Sequence, residues 1–235
     1  MSSAPLFSDR SHAGEQLAQS IFRALSELQA TGISAPPSVY ALPRGGIPVA
    51  TPVARLLNCP LDILVAKKIT RPQNPELAIG AVTADGHVLW SEPKQSRKQQ
   101  ESLREEALRQ AQAKALDQLS QLASSCPQFK PEGTIAILID DGIATGMTIA
   151  VAAQALRSYH PAQVWICAPV APEGLIPWLQ QWGDRVIVLD TPHQFMSVSR
   201  FYAEFPQVEM ATAIADLQQH NLKLLSQQEI PEIKI

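Results

Sequence analysis

Cysteine is scarce in this chain. Only three are scattered through 235 residues, at Cys59, Cys126 and Cys167, with no Cys-x-x-Cys spacing. That excludes a disulfide framework and a thiolate metal centre, and predicts reduced thiols in a cytoplasmic protein. Long hydrophobic runs are also missing, and nothing approaches the roughly 20 apolar residues of a membrane-spanning helix. Residues 1–10 lack the basic start and apolar stretch of a secretory signal. Neither sign of charge dominates: the formal net charge is -3, so no overall field favours nucleic acid or an anionic membrane. The common phosphate loops are absent. There is no Gly-x-x-x-x-Gly-Lys-Ser/Thr, and Gly142 and Gly146 have the wrong spacing for Gly-x-Gly-x-x-Gly. No repeat or low-complexity tract occurs.

What is present describes a globular protein with a substantial core, 46% hydrophobic and 17% charged. At this length a single α/β domain with elaborations suffices. Leu17, Ile21, Leu25 and Leu28 recur at helical spacing over 8–31, with Ser8 or Asp9 as cap and Gly32 as stop. A strand is predicted over 38–42, then a helix pattern in which Thr51 caps and Pro52 takes the first position. A strand over 61–66 follows, then an irregular connection over 69–77. Segments 78–83 and 87–90 read as a hairpin about Ala84-Asp85-Gly86. Residues 92–125 read as a long amphipathic helix, with Leu103, Ala107, Ala111, Ala115, Leu119 and Leu122 on one face and its early charges solvated. Strands over 134–139, 164–170 and 185–189 alternate with helices over 147–159 and 172–182, the rhythm of a parallel sheet with right-handed crossovers.

The chain is organised around Ile137-Leu-Ile-Asp-Asp-Gly-Ile-Ala-Thr-Gly-Met-Thr-Ile149. A buried strand ends in two carboxylates, and a loop of small residues then feeds a helix. Such a turn aims backbone N–H groups and the positive end of a helix dipole at one spot, which suits a phosphate. Thr145 and Thr148 add hydroxyl donors. Asp140 and Asp141 repel a phosphate, but beside it they can accept hydrogen bonds from sugar hydroxyls or sit near a metal. A bare Asp-Asp-Gly is an ordinary helix cap; the whole run reads as a site for a phosphorylated sugar. Pro43-Arg44-Gly45-Gly46 ends an earlier strand, and Arg44 brings a guanidinium fork suited to phosphate oxygens. Lys67 and Lys68 end another. All three loops fall at the carboxyl ends of predicted strands, where ligands sit in such sheets.

The run over 137–149 resembles the phosphoribosyl pyrophosphate signature of type I phosphoribosyltransferases, at nearly every position. The resemblance extends from Tyr40 to about Val208. It is nearest to a set of uncharacterised stand-alone bacterial phosphoribosyltransferases. These share the Pro-Arg-Gly-Gly loop, the Asn-Pro-Glu-Leu-Ala-Ile-Gly-Ala stretch at 74–81 and the Phe-x-Gln-Val ending at 205–208.

The fold this implies is α/β: a single type I phosphoribosyltransferase-like domain over 1–235. Its core, over about 38–190, is a parallel sheet flanked by helices. A long helical insertion spans about 92–125, and the terminal segments, mainly 191–235, form a small hood.

The implied reaction transfers the ribose 5-phosphate moiety of phosphoribosyl pyrophosphate to a small nitrogenous base. Mg2+ is held mainly through the pyrophosphate and ribose hydroxyls, with no dedicated protein ligands. Asp140 and Asp141 then fix the ribose. Ala144, Thr145, Gly146, Met147 and Thr148 anchor the 5′-phosphate, with Gly142 in the same loop. Arg44, Gly45 and Gly46, with Lys67 and Lys68, receive the pyrophosphate, and Arg71 is a further candidate there. Arg44 and Lys68 join the two acids as the catalytic set. In the family the loop after the first core strand often holds a cis peptide, expected here near Arg44-Gly45. A mobile loop is expected after the strand at 61–66.

Phe201, Tyr202 and His193 are the candidates for contact with the base. Members that use 6-oxopurines usually carry an Asp where this chain has Ala144. That argues against such a base and leaves adenine, a pyrimidine or another nitrogen nucleophile. Two alternatives remain: a non-catalytic regulatory protein that binds phosphoribosyl pyrophosphate or a nucleotide, and a hydrolase using water as acceptor. No basic helix-turn-helix segment supports a DNA-bound regulator, and a homodimer is left open.

Overall fold

The computed structural model describes residues 5–71, 74–91, 98–127 and 130–228. In chain order the elements are α1 (Arg10–Ala30), β1 (Pro37–Ala41), α2 (Gly46–Leu57), β2 (Leu61–Ile63), β3 (Ala66–Arg71), β4 (Asn74–Thr83) and β5 (Val88–Trp90). They continue with α3 (Lys98–Leu122), β6 (Ile135–Ile139), α4 (Met147–Arg157), β7 (Gln163–Val170), α5 (Ile176–Leu179), β8 (Arg185–Asp190) and α6 (Met210–Gln228). No helix among the described residues is long and apolar enough to cross a membrane.

Five strands form a parallel sheet in the order β2-β1-β6-β7-β8. They are apolar on both faces because helices cover both. Val39, Ala41, Ile135, Ile137, Ile139, Trp165 and Cys167 pack beneath α1, α2 and α6. Their alternating neighbours Tyr40, Ala136, Leu138, Val164, Ile166 and Ala168 pack beneath α4 and α5. The strand order reverses between β1 and β6, which pair in register from Pro37↔Ile135 to Ala41↔Ile139. A crevice at such a reversal, at the carboxyl ends of the strands, is where open α/β sheets bind ligands.

A second, antiparallel sheet, β3-β4-β5, stands beside the first. The expected strand over 61–66 divides between the two sheets. Leu64 N–H still bonds the Ala41 carbonyl (3.0 Å), whereas Val65 accepts from Ala84 N–H (3.0 Å). The connection expected to be irregular over 69–77 is mostly strand, with register shifts between Ile69 and Thr70 and between Thr70 and Arg71. Packing explains this: Ile69 and Ile79 are buried against Ala107 and Ala111 of α3, and that burial overrides local breakers. Residues 72–73, at the tip of the expected mobile loop, lie outside the described set, as do 92–97 of the expected long helix. Among that helix's charges, Arg104 is not simply solvated. Its guanidinium carbon lies 3.8 Å from the centroid of the Trp90 ring.

Other boundaries also moved. α2 begins at Gly46, whose N–H bonds the Leu42 carbonyl (3.0 Å), so the turn after β1 winds directly into helix. Pro52 therefore lies inside α2 and Thr51 is no cap; its hydroxyl donates to the Ile47 carbonyl (2.9 Å). The helix expected over 172–182 shrinks to a 3-10 turn and the one turn of α5. The N–H groups of Trp182 and Gly183 both return to the Leu179 carbonyl, at 3.0 and 3.2 Å. The helix α6 was not foreseen, because His220 and Asn221 interrupt the apolar pattern of Ala213, Leu217 and Leu224. These polar residues have partners. Asn221 accepts from Leu61 N–H (3.2 Å) and donates to the Leu61 carbonyl (2.9 Å), closing the edge of β2 as a neighbouring strand would.

Asp62 sits between β1 and the small polar patch around Cys126, and burial pushes its carboxyl up to about 6 from 3.8, against a hydrogen bond from Ile63 N–H. Below pH 4 it is protonated in both folded and unfolded chains and costs nothing. As pH rises through 6 the folded chain is forced to ionise a buried group, and stability falls. At about 1.4 kcal/mol per unit, the loss between pH 4 and 7 amounts to roughly 2–3 kcal/mol. Asp62→Asn is expected to remove that loss, leaving stability in urea titrations higher than wild type at pH 7 and nearly equal at pH 4.

Candidate functional site

Three loops meet at the reversal between β1 and β6. The first follows β6. Gly146 adopts φ 76°, a left-handed conformation that favours glycine, and it turns the chain into α4 with no side-chain cap. The first N–H groups of α4 therefore stay available, at the positive end of the helix dipole. Gly146 also packs on Trp178, where an added Cβ would lie 2.5 Å from Cζ3. Ala144 and Thr145 are exposed, Met147 and Thr148 half-buried, and Gly142 buried against Val198 and Val170.

The second loop follows β1. It contains a cis peptide, placed at Pro43–Arg44, one bond before the expected Arg44–Gly45. Gly45 lies directly against the Asp141 carboxylate, and a Cβ there would overlap Oδ2. Gly46 lies under Ile139 and Asp140, its hypothetical Cβ 2.7 Å from the Ile139 carbonyl oxygen. These glycines let the loop that carries Arg44 close on the loop that carries the acids, Gly46 against backbone and Gly45 against the Asp141 carboxylate.

β3 supplies the third group. Lys67 and Lys68 point to opposite faces of the strand, as alternation requires. Lys67 is half-buried, and its ammonium is pushed below the ordinary lysine range first by burial, then by the charges of Arg44 and of Lys114 on α3. Lys68 is exposed. Among the described residues neither Arg44 nor Lys67 makes an ion pair. Half-buried cations that face one another without a carboxylate partner are poised for an anionic ligand.

The two acids are held differently. Asp141 accepts from Arg10 Nε at 2.8 Å, and the hydroxyl of Tyr202 donates to its backbone carbonyl at 2.6 Å. Asp140 accepts from Asp141 N–H at 2.9 Å and makes no ion pair among the described residues. Burial raises the Asp140 carboxyl well above the usual range, and the adjacent Asp141 charge adds to this while Arg10 opposes it. Burial raises Asp141 too, against the hydrogen bond and charge of Arg10. A ligand that donates hydrogen bonds or brings positive charge favours the ionised forms.

Arg10 was missed at the level of sequence. A signal existed: a cation in the first turn of a helix opposes the dipole, so Arg10 needed another reason to be there. Its Nη1 donates to the Pro206 carbonyl (2.8 Å) and its guanidinium carbon lies 3.6 Å from the Phe205 ring centroid. The chain at 6–8 pairs with 201–204 through Leu6 and Phe7 N–H to the Phe201 carbonyl, both at 3.0 Å, and Ala203 N–H to the Phe7 carbonyl at 2.8 Å. Tyr202 is buried between Phe7 and Phe205, with ring centroids 5.3 and 4.9 Å away. Phe201 stacks on Phe195 at 5.5 Å. His193 stands on open surface, paired with Glu173. None of the three aromatic candidates converges on the acids through its ring; Tyr202 reaches them through its hydroxyl alone.

Comparison with known proteins agrees with this geometry. The family model for the phosphoribosyl transferase domain matches residues 9–199. Two curated Mycobacterium tuberculosis proteins, from strains CDC 1551 and H37Rv and each named "Putative phosphoribosyl transferase", are 34% identical over 221 residues. The match takes in 90% of this chain and 46% of theirs, so the chain spans about half the length of these relatives. The crystal structure of TT1426 from Thermus thermophilus superposes with a TM-score of 0.73 at 32% identity, covering 91% of this chain and 98% of that one.

Gly45 has ordinary helical backbone angles (φ -59°, ψ -34°), so alanine there is free of backbone strain and in open space would be neutral or slightly stabilising. Overlap with the Asp141 carboxylate reverses the sign. Gly45→Ala is expected to destabilise by about 2–4 kcal/mol, combining overpacking with disturbance of a buried ion pair. Denaturant unfolding of the variant, compared with Gly174→Ala where a Cβ meets nothing within 4 Å, checks this.

Proposed function

The chain belongs to the phosphoribosyl transferase domain family, and on that premise we propose that it transfers ribose 5-phosphate from phosphoribosyl pyrophosphate to a nitrogenous base. The observation that carries the reading is the gathering of unneutralised charge at the sheet reversal. Arg44 and Lys67, without acidic partners among the described residues, act on each other there, and the loop of Arg44 packs against the Asp140-Asp141 pair that precedes the open start of α4. A sugar bearing a phosphate at one end and a pyrophosphate at the other suits such a crevice.

In this reading the loop from Ala144 to Thr148 and the first N–H groups of α4 hold the 5′-phosphate. Carboxylate from the acid pair accepts hydrogen bonds from the ribosyl hydroxyls. Arg44, the backbone of Gly45 and Gly46, and Lys67 take up the pyrophosphate. As the bond from C1 to the pyrophosphate oxygen breaks, the electron pair leaves with the pyrophosphate, C1 becomes oxocarbenium-like, and the base nitrogen closes the new bond. Arg44 and Lys67 stabilise the departing charge, and the remaining residues supply orientation. Lys67 here takes the catalytic part that the resemblance assigned to Lys68, because Lys67 is the lysine on which the Arg44 charge acts.

Among the described residues no group of three or more His, Cys, Asp or Glu converges. A Mg2+ ion bound with the substrate, mainly through the pyrophosphate and ribose hydroxyls, would lower the charge cost of departure. Ala144 in place of the acid used by 6-oxopurine members supports adenine, a pyrimidine or another nitrogen nucleophile as acceptor.

The test is pyrophosphate release from phosphoribosyl pyrophosphate with Mg2+, across a panel of bases and a control without base. Release that depends on one base is the expected outcome. Release without base would make the protein a hydrolase, and tight binding without any release would make it a regulatory binder. Arg44→Ala is expected to lower kcat by about 10²–10³, on the scale of losing one preorganised donor to a developing anion. Lys67→Ala should cost at least tenfold more than Lys68→Ala, and equal losses would remove Lys67 from its assigned place.

A further inference from the structure

Asp140 and Asp141 are neighbours in sequence but differ in circumstance. Asp141 is fixed at three points: its carboxylate by Arg10 Nε (2.8 Å), its carbonyl by the Tyr202 hydroxyl (2.6 Å), and its Oδ2 by the Gly45 backbone closing on it. Arg10 is fixed in turn. Its side chain is 10% exposed, Nη1 is bonded to the Pro206 carbonyl (2.8 Å), and Phe205 lies against its plane. Swinging either partner toward a ligand would strand a buried charge, which is far costlier than leaving the pair intact. Asp140 has no cation of its own among the described residues; it accepts from the N–H that follows it, and its carboxyl lies against that of Asp141.

We propose that Arg10 is a positioning residue that withdraws Asp141 from the ligand and leaves Asp140 as the single carboxylate presented to the ribosyl hydroxyls. The assignment rests on the reading of this crevice as a phosphoribosyl pyrophosphate site, and it divides a pair of acids that the motif presents as equivalent. Its physical basis is charge. Two ionised carboxylates side by side in a crevice repel each other, and each disfavours the charge of the other. With Arg10 between the terminal segments and Asp141, the acid pair carries one net negative charge instead of two. That lowers the cost of ionising Asp140, which burial opposes, so that it can accept from the ribosyl hydroxyls. Arg10 reaches the substrate only through Asp141.

Four comparisons follow from this. Asp140→Asn removes the presented acceptor and raises the dissociation constant for phosphoribosyl pyrophosphate at least tenfold. Arg10→Met raises it by a similar factor, because Asp141 is freed to repel Asp140, while kcat for bound substrate changes less than threefold. Asp141→Asn in the presence of Arg10 has the smallest effect of the three. The combination Arg10→Met with Asp141→Asn binds more tightly than Arg10→Met alone, since the unpaired charge is gone.

The experiment is calorimetric binding of phosphoribosyl pyrophosphate with Mg2+, alongside KM and kcat, for the full chain and these four variants. Arg10→Lys retains the charge and is expected to recover at least half of the lost affinity. That recovery separates positioning by charge from mere packing against Phe205. Thermal unfolding reports the fold of each variant. If Arg10→Met does not fold, Tyr202→Phe replaces it: it removes one tether of Asp141 and is expected to weaken binding in the same direction. Wild-type binding together with Asp141→Asn as damaging as Asp140→Asn overturns the proposal, because both acids then touch ligand. So does Arg10→Met or Tyr202→Phe binding as wild type does. A wild-type chain that neither binds nor turns over phosphoribosyl pyrophosphate overturns the functional reading along with it.

Discussion

The parallel pairing of β1 with β6 is the constraint on which the site depends. Ala41 lies opposite Ile139, and the N–H of Leu42 continues the ladder to the Ile139 carbonyl at 2.9 Å. Both strands therefore end at the same height and release their loops into the same crevice. Their chains diverge only because the strand order reverses there. A slip of one residue would exchange the faces of β6, sending Ile137 and Ile139 from the α1–α2 side to the α4 side. Register, loop position and core composition are thus one requirement. The missing side chains at Gly45 and Gly46 express it locally, since the two loops close on each other there.

Around that crevice the fold holds charge it does not neutralise. Arg44 and Lys67 face each other, and the acids sit close by without pairing to them. Each unpaired, partly buried group opposes folding, so the stability of the rest must offset the site. The core lies close to it: α1, α2, β1 and β6 contribute most of one core cluster, and α4 with β7 half of the other. The site is an exception to electrostatic satisfaction, held in place by surroundings that satisfy it elsewhere. Stabilising residues are usually traded against activity at such positions.

Much of this was legible in the sequence, because the relevant information is local. Continuous apolar runs gave the strands of the parallel sheet, and the ordered acid-and-glycine loop after β6 gave the place of the phosphate site. What failed was tertiary in origin. The strand character of 69–77 comes from Ile69 and Ile79 meeting α3, a contact no local window contains. The helix α6 was obscured by His220 and Asn221, whose burial makes sense only once Cys59 and Leu61 are seen to bond them. Asp140 and Asp141 could be named from the motif, yet their inequality depends on Arg10, 131 positions away in the chain. Tyr202 was legible as an aromatic near the site, but its contact is a hydroxyl on a carbonyl rather than a ring on a ligand.

The distance along the chain has a further meaning for the order in which the protein takes shape. Arg10 is made 196 positions before its carbonyl partner Pro206. Closing so long a loop is entropically unfavourable until the elements between have formed. During synthesis the parallel sheet can therefore assemble around β1 and β6 while Arg10 is still in water and Asp141 still lacks its cation. The arrival of Phe201 to Pro206 beside Leu6 to Ser8 then completes the crevice. A growing chain lacks a finished site until Pro206 has emerged, so copies that stop short of it hold the scaffold before they can hold the ligand.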